Sequence, residues 1–213
     1  EQTAVNVING DVSYAPQNPW IMNESIRNNI LFYNVMDAQR YNEIIDICQL
    51  RSDLDNLPGG EYTEVSSNGT NISGGQKARI SLARAIYKQA NIYLLDDPIS
   101  SVDVINATEI FNEVLLNYLK GKTRILFKHD IRNLHRMDKI IYMNKGKVIW
   151  SGTYDEFTKH KLYMELLSRV HKKTNTQEQE NKRFIASRKL SYKDIIERKF
   201  NINDIEEEKK QKG

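Results

Sequence analysis

Ile92-Tyr93-Leu94-Leu95-Asp96-Asp97-Pro98 is the stretch on which the fold turns. An unbroken apolar run that ends on two carboxylates and a proline reads as a short strand covered on both faces. Open α/β sheets bind their ligands at the carboxyl ends of such strands. An acid placed there can hold Mg²⁺, and its neighbour can orient or deprotonate an attacking water. A strand-ending acidic turn is the plainer alternative. Outward from this segment, apolar strands alternate with helical patterns. Val12-Ser13-Tyr14-Ala15 is a strand ended by Pro16, and Arg124 to Phe127 is another, preceded by a helix over Ala107 to Leu119 that stops at Gly121. Helices are predicted over Ala38 to Leu50 and over Gln76 to Gln89. Lys139 to Met143 and Lys147 to Trp150 flank Asn144-Lys145-Gly146, a hairpin signal. The alternation predicts an α/β fold with a largely parallel sheet.

Asn71-Ile72-Ser73-Gly74-Gly75-Gln76 precedes one of these helices. Ser73 is placed to cap it, and the two glycines let a phosphate approach bare backbone N–H groups. The positive end of the helix dipole points the same way, so the turn suits an anion. A capped helix after a turn, with no ligand, is the competing reading.

The bulk numbers set limits. The chain has 213 residues, 39% hydrophobic, with a mean hydropathy of −0.62. Its 31 Lys and Arg balance 28 Asp and Glu, which argues against a nucleic-acid partner. Cys48 is the only cysteine, so an intrachain disulfide is excluded and a reducing, cytoplasmic setting fits. The opening residues carry no signal-peptide pattern, and no apolar run reaches the ~18 residues of a membrane span, so this stretch by itself is expected to be soluble. From about His171 Lys, Glu, Gln and Asn dominate, which predicts a charged, largely disordered linker over 171–213.

The Ser73-Gly74-Gly75-Gln76 turn and the Asp96-Asp97 strand end, in this order and at this separation, resemble the ABC ATPase family. Its signature reads Leu-Ser-Gly-Gly-Gln; here Ile72 replaces the Leu. Gln17, after Tyr14-Ala15-Pro16, matches the Q-loop glutamine, Ser101-Val102-Asp103 the D-loop, and His129 the switch histidine. The run Pro19 to Phe32 is similar to the multidrug resistance-associated (C-type) subfamily, and Asp97, where most relatives place a catalytic Glu, is typical of its first cassettes. The likeness covers roughly Val5 to Leu167.

The resemblance implies a P-loop NTPase-like α/β cassette, N-terminally truncated, with a helical signature subdomain. A partial nucleotide-binding domain would occupy 1–170, and 171–213 would lead toward a membrane domain. The Walker A loop and the adenine-stacking aromatic are expected upstream of Glu1. Gly121-Lys122-Thr123 mimics part of a Walker A, but Leu116 stands where its first Gly belongs, and a helix C-terminal glycine is the better reading. After His129 the family usually has Ser or Thr; here Asp130 follows.

By the same likeness, two cassettes close head to tail around ATP, on the cytoplasmic face of a membrane and attached to transmembrane domains. Ser73, Gly74, Gly75 and Gln76 would contact nucleotide across that interface, with Asp103 in the D-loop. Asp96 and Gln17 would hold Mg²⁺, and Asp97, His129 and Gln17 would serve hydrolysis coupled to export. The alternatives are a regulatory, hydrolysis-poor half, which Asp97 favours, and a soluble ABC ATPase acting on DNA or ribosomes.

Overall fold

The computed structural model describes residues 8–66, 69–129 and 131–168. They fall into two compact units that divide between His129 and Asp130. Asp130, the expected boundary at 170/171 and the expected 171–213 linker lie outside the described residues.

In the first unit three parallel strands, β1 (Val12–Ala15), β2 (Ile92–Asp96) and β3 (Thr123–Phe127), lie in the order β1-β2-β3. Around them run α1 (Ile26–Leu31), α2 (Ala38–Ile47), α3 (Arg51–Asn56), α4 (Gly74–Tyr87) and α5 (Val104–Ile110). Short polar side chains start several of the helices. Ser25 Oγ accepts the Asn28 N–H at 3.1 Å, Asp37 that of Arg40 at 3.1 Å and Asp103 that of Asn106 at 3.1 Å. Each supplies an acceptor to a first-turn donor that has no intrahelical partner.

The core of this unit is built on α4. Every residue from Ala78 to Tyr87 is buried, because α4 packs on β1 and also on α1 and α2. Ser13 Oγ donates to the Ala85 carbonyl at 2.6 Å and joins strand to helix. The expected helix over 107–119 begins earlier, at Val104, capped by Asp103. At Phe111 its register loosens into π-helical turns through Tyr118, closed by a 2.9 Å bond from Leu119 N–H to the Val114 carbonyl five residues back.

Among the described residues, the two faces of β2 are covered unequally. The register sets Ser13 beside Tyr93 and Ala15 beside Leu95, and these face the helices and are buried. On the opposite face Tyr14, Leu94 and Ile125 form a row, with Phe127 beyond. There Tyr14 is 54%, Ile125 44% and Phe127 49% exposed. The described helices that reach the sheet bond to its buried face, α4 through Ser13 and the 111–118 turns through Arg124 to the Leu115 carbonyl. An apolar run cannot by itself say which of its two faces the rest of the unit covers.

Gly121 has φ +81° in the turn between the 111–118 segment and β3, so Gly121-Lys122-Thr123 ends a helix and begins a strand. That is the reverse of a phosphate loop, which leaves a strand and enters a helix.

The second unit holds the predicted hairpin, β4 (Ile140–Asn144) against β5 (Lys147–Gly152), antiparallel with a shift beside Tyr142 and Met143. Lys145 and Gly146 both have positive φ, as a two-residue hairpin turn requires. A helix, α6 (Tyr154–Thr158), starts on a Thr153 capping box and buries Phe157 with Ile140 and Leu162. No helix among the described residues is long and apolar enough to cross a membrane.

Candidate functional site

Parallel pairing brings three strand ends to one edge. Ala15 lies beside Leu95, and Asp96 beside Phe127. Gln17 follows β1 by two residues, Asp96 and Asp97 finish β2, and His129 follows β3 by two. The residues expected to serve hydrolysis and the metal therefore stand in a row at the carboxyl edge of the sheet. Gln17 and His129 are exposed, while Asp96 and Asp97 are half-buried.

The turn after β2 is closely tied. Asp97 N–H donates to the Phe127 carbonyl at 3.0 Å. The Asp97 carbonyl accepts from Ser100 N–H at 3.2 Å and from Ser100 Oγ at 3.0 Å. Asp97 has φ +45°, a left-handed conformation that Asp adopts more readily than most residues. Asp96 Oδ2 accepts a long, 3.4 Å bond from the Tyr14 hydroxyl. Desolvation of the phenol, then the charge of Asp96, pushes the Tyr14 pKa up.

Ser73, Gly74, Gly75 and Gln76 form a second group at the start of α4. Ser73 Oγ accepts the Gln76 N–H at 3.1 Å, while Gln76 Oε1 accepts the Ser73 N–H at 2.8 Å, a complete capping box. Because the Ser73 oxygen is already an acceptor, its hydroxyl proton can point outward to an anion. The Gly74 and Gly75 N–H groups have no intrahelical acceptor, as in any first helical turn. Ser101 Oγ reaches the Gly74 carbonyl at 3.5 Å, and a Cβ on Gly75 would sit 3.3 Å from the Ser101 carbonyl. The Ser73–Gln76 turn and the loop at Ser101 are therefore packed together. Asp103 caps α5; its bonds from the Asn106 backbone and side chain hold its carboxyl below the usual range.

Several residues here carry no sequence motif. Asp53, on α3, accepts from Gln76 Nε2 at 3.0 Å and forms an ion pair with Arg79. Arg84 of α4 donates from Nε to the Asn29 carbonyl at 2.7 Å, from Nη1 to the Trp20 carbonyl at 3.0 Å and from Nη2 to Asn29 Oδ1 at 2.7 Å. Its guanidinium also lies 4.0 Å from the centre of the Trp20 ring. Burial lowers the Arg84 pKa to about 10. Arg84 thus ties the segment three residues beyond Gln17 to the helix that carries Ser73. Alternation could have flagged it, since a charge inside a run of buried positions must find partners.

Among the described residues no three His, Cys, Asp or Glu side chains gather as a metal cage. A lone carboxylate such as Asp96 does suit Mg²⁺, which binds one or two protein carboxylates and fills its shell with phosphate oxygens and water.

Comparison with known proteins identifies the family. Residues 2–100 match the ABC transporter family. The chain is 46% identical over 151 residues to ATP-binding cassette sub-family C member 2 of Mus musculus, covering 70% of this chain and 10% of that protein. It is 44% identical over 156 residues to multidrug resistance protein mrp-7 of Caenorhabditis elegans, 72% of this chain and 10% of that one. ABC transporter C family member 9 of Arabidopsis thaliana is 39% identical over 164 residues, 77% of this chain and 11% of its own length. The chain therefore spans about 10% of the length of the curated relatives it matches. Similarity at this level, reaching from animals to a plant, together with the family match, means that the chain belongs to the ABC transporter family, among relatives of its C subfamily.

Proposed function

We propose that this chain forms the greater part of a nucleotide-binding domain, the first of two, in a transporter that uses ATP to drive export. The row of Gln17, Asp96, Asp97 and His129 along one edge of a parallel sheet is the observation that carries this reading. The order suits phosphoryl transfer, in which the protein mainly positions groups and stabilises charge. Mg²⁺, when bound at Asp96, would neutralise developing phosphate charge. Asp97 would orient the attacking water, Gln17 would sense the metal and the γ-phosphate, and His129 would donate toward the transition-state oxygens. The Ser73 hydroxyl and the Gly74 and Gly75 N–H groups would meet the nucleotide of a second, partner domain. Membrane domains of the same protein and a position on the cytoplasmic face follow from this scheme.

A second reading, a site that mainly holds ATP, is favoured by Asp97 itself. Its carboxylate reaches about 1.5 Å less far than that of Glu, and a misplacement near 1 Å can cost ~10²-fold in rate. The test is trapped-nucleotide lifetime at this site in the full-length transporter. Asp97→Glu should shorten it, and Asp96→Asn should impair Mg²⁺-dependent binding. Unchanged lifetimes in both Asp97→Glu and Asp97→Asn would remove Asp97 from the hydrolytic role and leave the holding site.

A further inference from the structure

The structure assigns to Asp53 the task of positioning the Ser73–Gly75 turn, an inference that rests on reading that turn as a nucleotide contact. Asp53 lies on α3, 20 residues ahead of Ser73 in the chain. Its Oδ1 accepts from Gln76 Nε2 at 3.0 Å, and its Oδ2 pairs with Arg79 Nη2. A side-chain amide can face either way round, and Asp53 determines which way. With Nε2 drawn to the carboxylate, Gln76 Oε1 is turned to the Ser73 N–H, where it accepts at 2.8 Å. The flipped amide would set Oε1 against the carboxylate and Nε2 against the Ser73 N–H, losing both bonds.

Asp53 also places Arg79. That side chain is buried, and its Nε is a buried donor with no hydrogen-bond partner among the described residues. The pair with Asp53 anchors the far end of the guanidinium, and Arg79 Nη1 lies 3.6 Å from where a Cβ of Gly75 would stand. One carboxylate therefore sets the backbone of Ser73 through Gln76 and supports Gly75 through Arg79. A turn held in advance needs no ordering when nucleotide arrives, and such ordering otherwise subtracts from affinity. The charged bond to Gln76 is of a kind worth a factor of about 10 or more.

The experiment is ATP-dependent turnover of the full-length transporter carrying Asp53→Ala, Gln76→Ala and the double substitution. Asp53→Ala should raise the half-saturating ATP concentration about 10-fold and change kcat far less. The double variant should exceed Gln76→Ala only by the few-fold that the Arg79 contact carries, well short of the product of the two single effects, since the link they share is lost once. Fully multiplicative effects, or an unchanged ATP requirement in Asp53→Ala, would overturn the proposal. If Asp53→Ala fails to accumulate, Asp53→Asn takes its place: it keeps an acceptor for Gln76, loses the pair with Arg79, and should raise the ATP requirement by a few-fold. Gly74→Asp separates the two layers of the argument. It puts a carboxylate where phosphate would lie, and no effect on ATP dependence would defeat the nucleotide reading and this proposal together. A strong effect of Gly74→Asp beside a silent Asp53→Ala would defeat the positioning role alone.

Discussion

Arg84→Met removes a buried cation whose hydrogen-bond partners among the described residues are all uncharged. The Arg84 residue is 8% exposed, and its donors go to the Trp20 carbonyl, the Asn29 carbonyl and Asn29 Oδ1. The substitution leaves the two carbonyls without their guanidinium donors, whereas Asn29 Oδ1 keeps the Met22 N–H at 2.8 Å. A buried acceptor left without its donor costs ~1–3 kcal/mol, so two cost ~2–6 kcal/mol. Loss of the stacking on the half-exposed Trp20 ring adds to this, a cation–π contact there being worth ~1–2 kcal/mol. Against it stands the relief of no longer holding a charge out of water, the effect that lowers the Arg84 pKa to about 10. Taking the middle of the range and allowing for that relief, the net loss is about 3 kcal/mol. At ~2–4 °C per kcal/mol for a domain of this size, Tm should fall by ~6–12 °C. The assay is thermal unfolding of the complete nucleotide-binding domain, wild type against Arg84→Met and Arg84→Lys. Lysine keeps the charge but loses the planar fork, and one ammonium cannot satisfy these acceptors while lying over the Trp20 ring. It should be no more stable than the methionine variant. Full stability of Arg84→Lys would show that charge alone suffices, and a loss below ~0.5 kcal/mol in Arg84→Met would refute the strut altogether.

Three further outcomes can be measured on the same domain. Cys48 is fully buried, and burial pushes its thiol pKa up, so alkylation by iodoacetamide at pH 8 should follow urea unfolding; labelling of the folded domain at a free-thiol rate would contradict this. Asp103 has a folded pKa held below its ordinary 3.8, so its contribution to stability is present above that value and is lost as pH falls through the folded pKa. Asp103→Asn keeps a capping side chain and should flatten that acid limb in a pH series of urea midpoints, with an unchanged limb as the contrary result. Gly74→Ala meets open space, whereas a Cβ on Gly75 would press to 3.3 Å on the Ser101 carbonyl. Gly75→Ala should therefore lower Tm while Gly74→Ala leaves it within ~1–2 °C, and equal losses would contradict the close packing of turn and D-loop.

What could be read in the chain, and what could not, follows from the range of the interactions. The strand ending on Asp96-Asp97, the Ser73 cap and the Lys145-Gly146 turn depend on neighbours within a few residues, and each is found where periodicity and capping chemistry put it. The start of α5 was also local, since Asp103 is a good cap, but the apolar spacing drew attention to Ala107 instead. Tyr14 is different. Its bond to Asp96 spans 82 positions and depends on the register of β1 against β2, which alternation within either strand does not reveal. Asp53 reaches Gln76 across 23 positions and sits on a six-residue helix that carries no recognisable pattern.

The two groups of candidate residues are linked by a short stretch of backbone. Asp97 closes the turn onto Ser100, and the next residue, Ser101, touches Gly74. A shift of the strand end at Asp97 must therefore be absorbed within residues 98–100 or passed to the signature turn. Pro98 restricts the first of these, and both bonds from Ser100 to the Asp97 carbonyl stiffen the rest. On the other side Asp53 and the capping box resist movement of the turn relative to α3 and α4. A link that is stiff along its length, with a braced turn at its end, transmits displacement better than it absorbs it. On the proposed reading, a change at the strand-edge row would then be felt at the Ser73–Gly75 turn, and through it at the nucleotide of a partner domain.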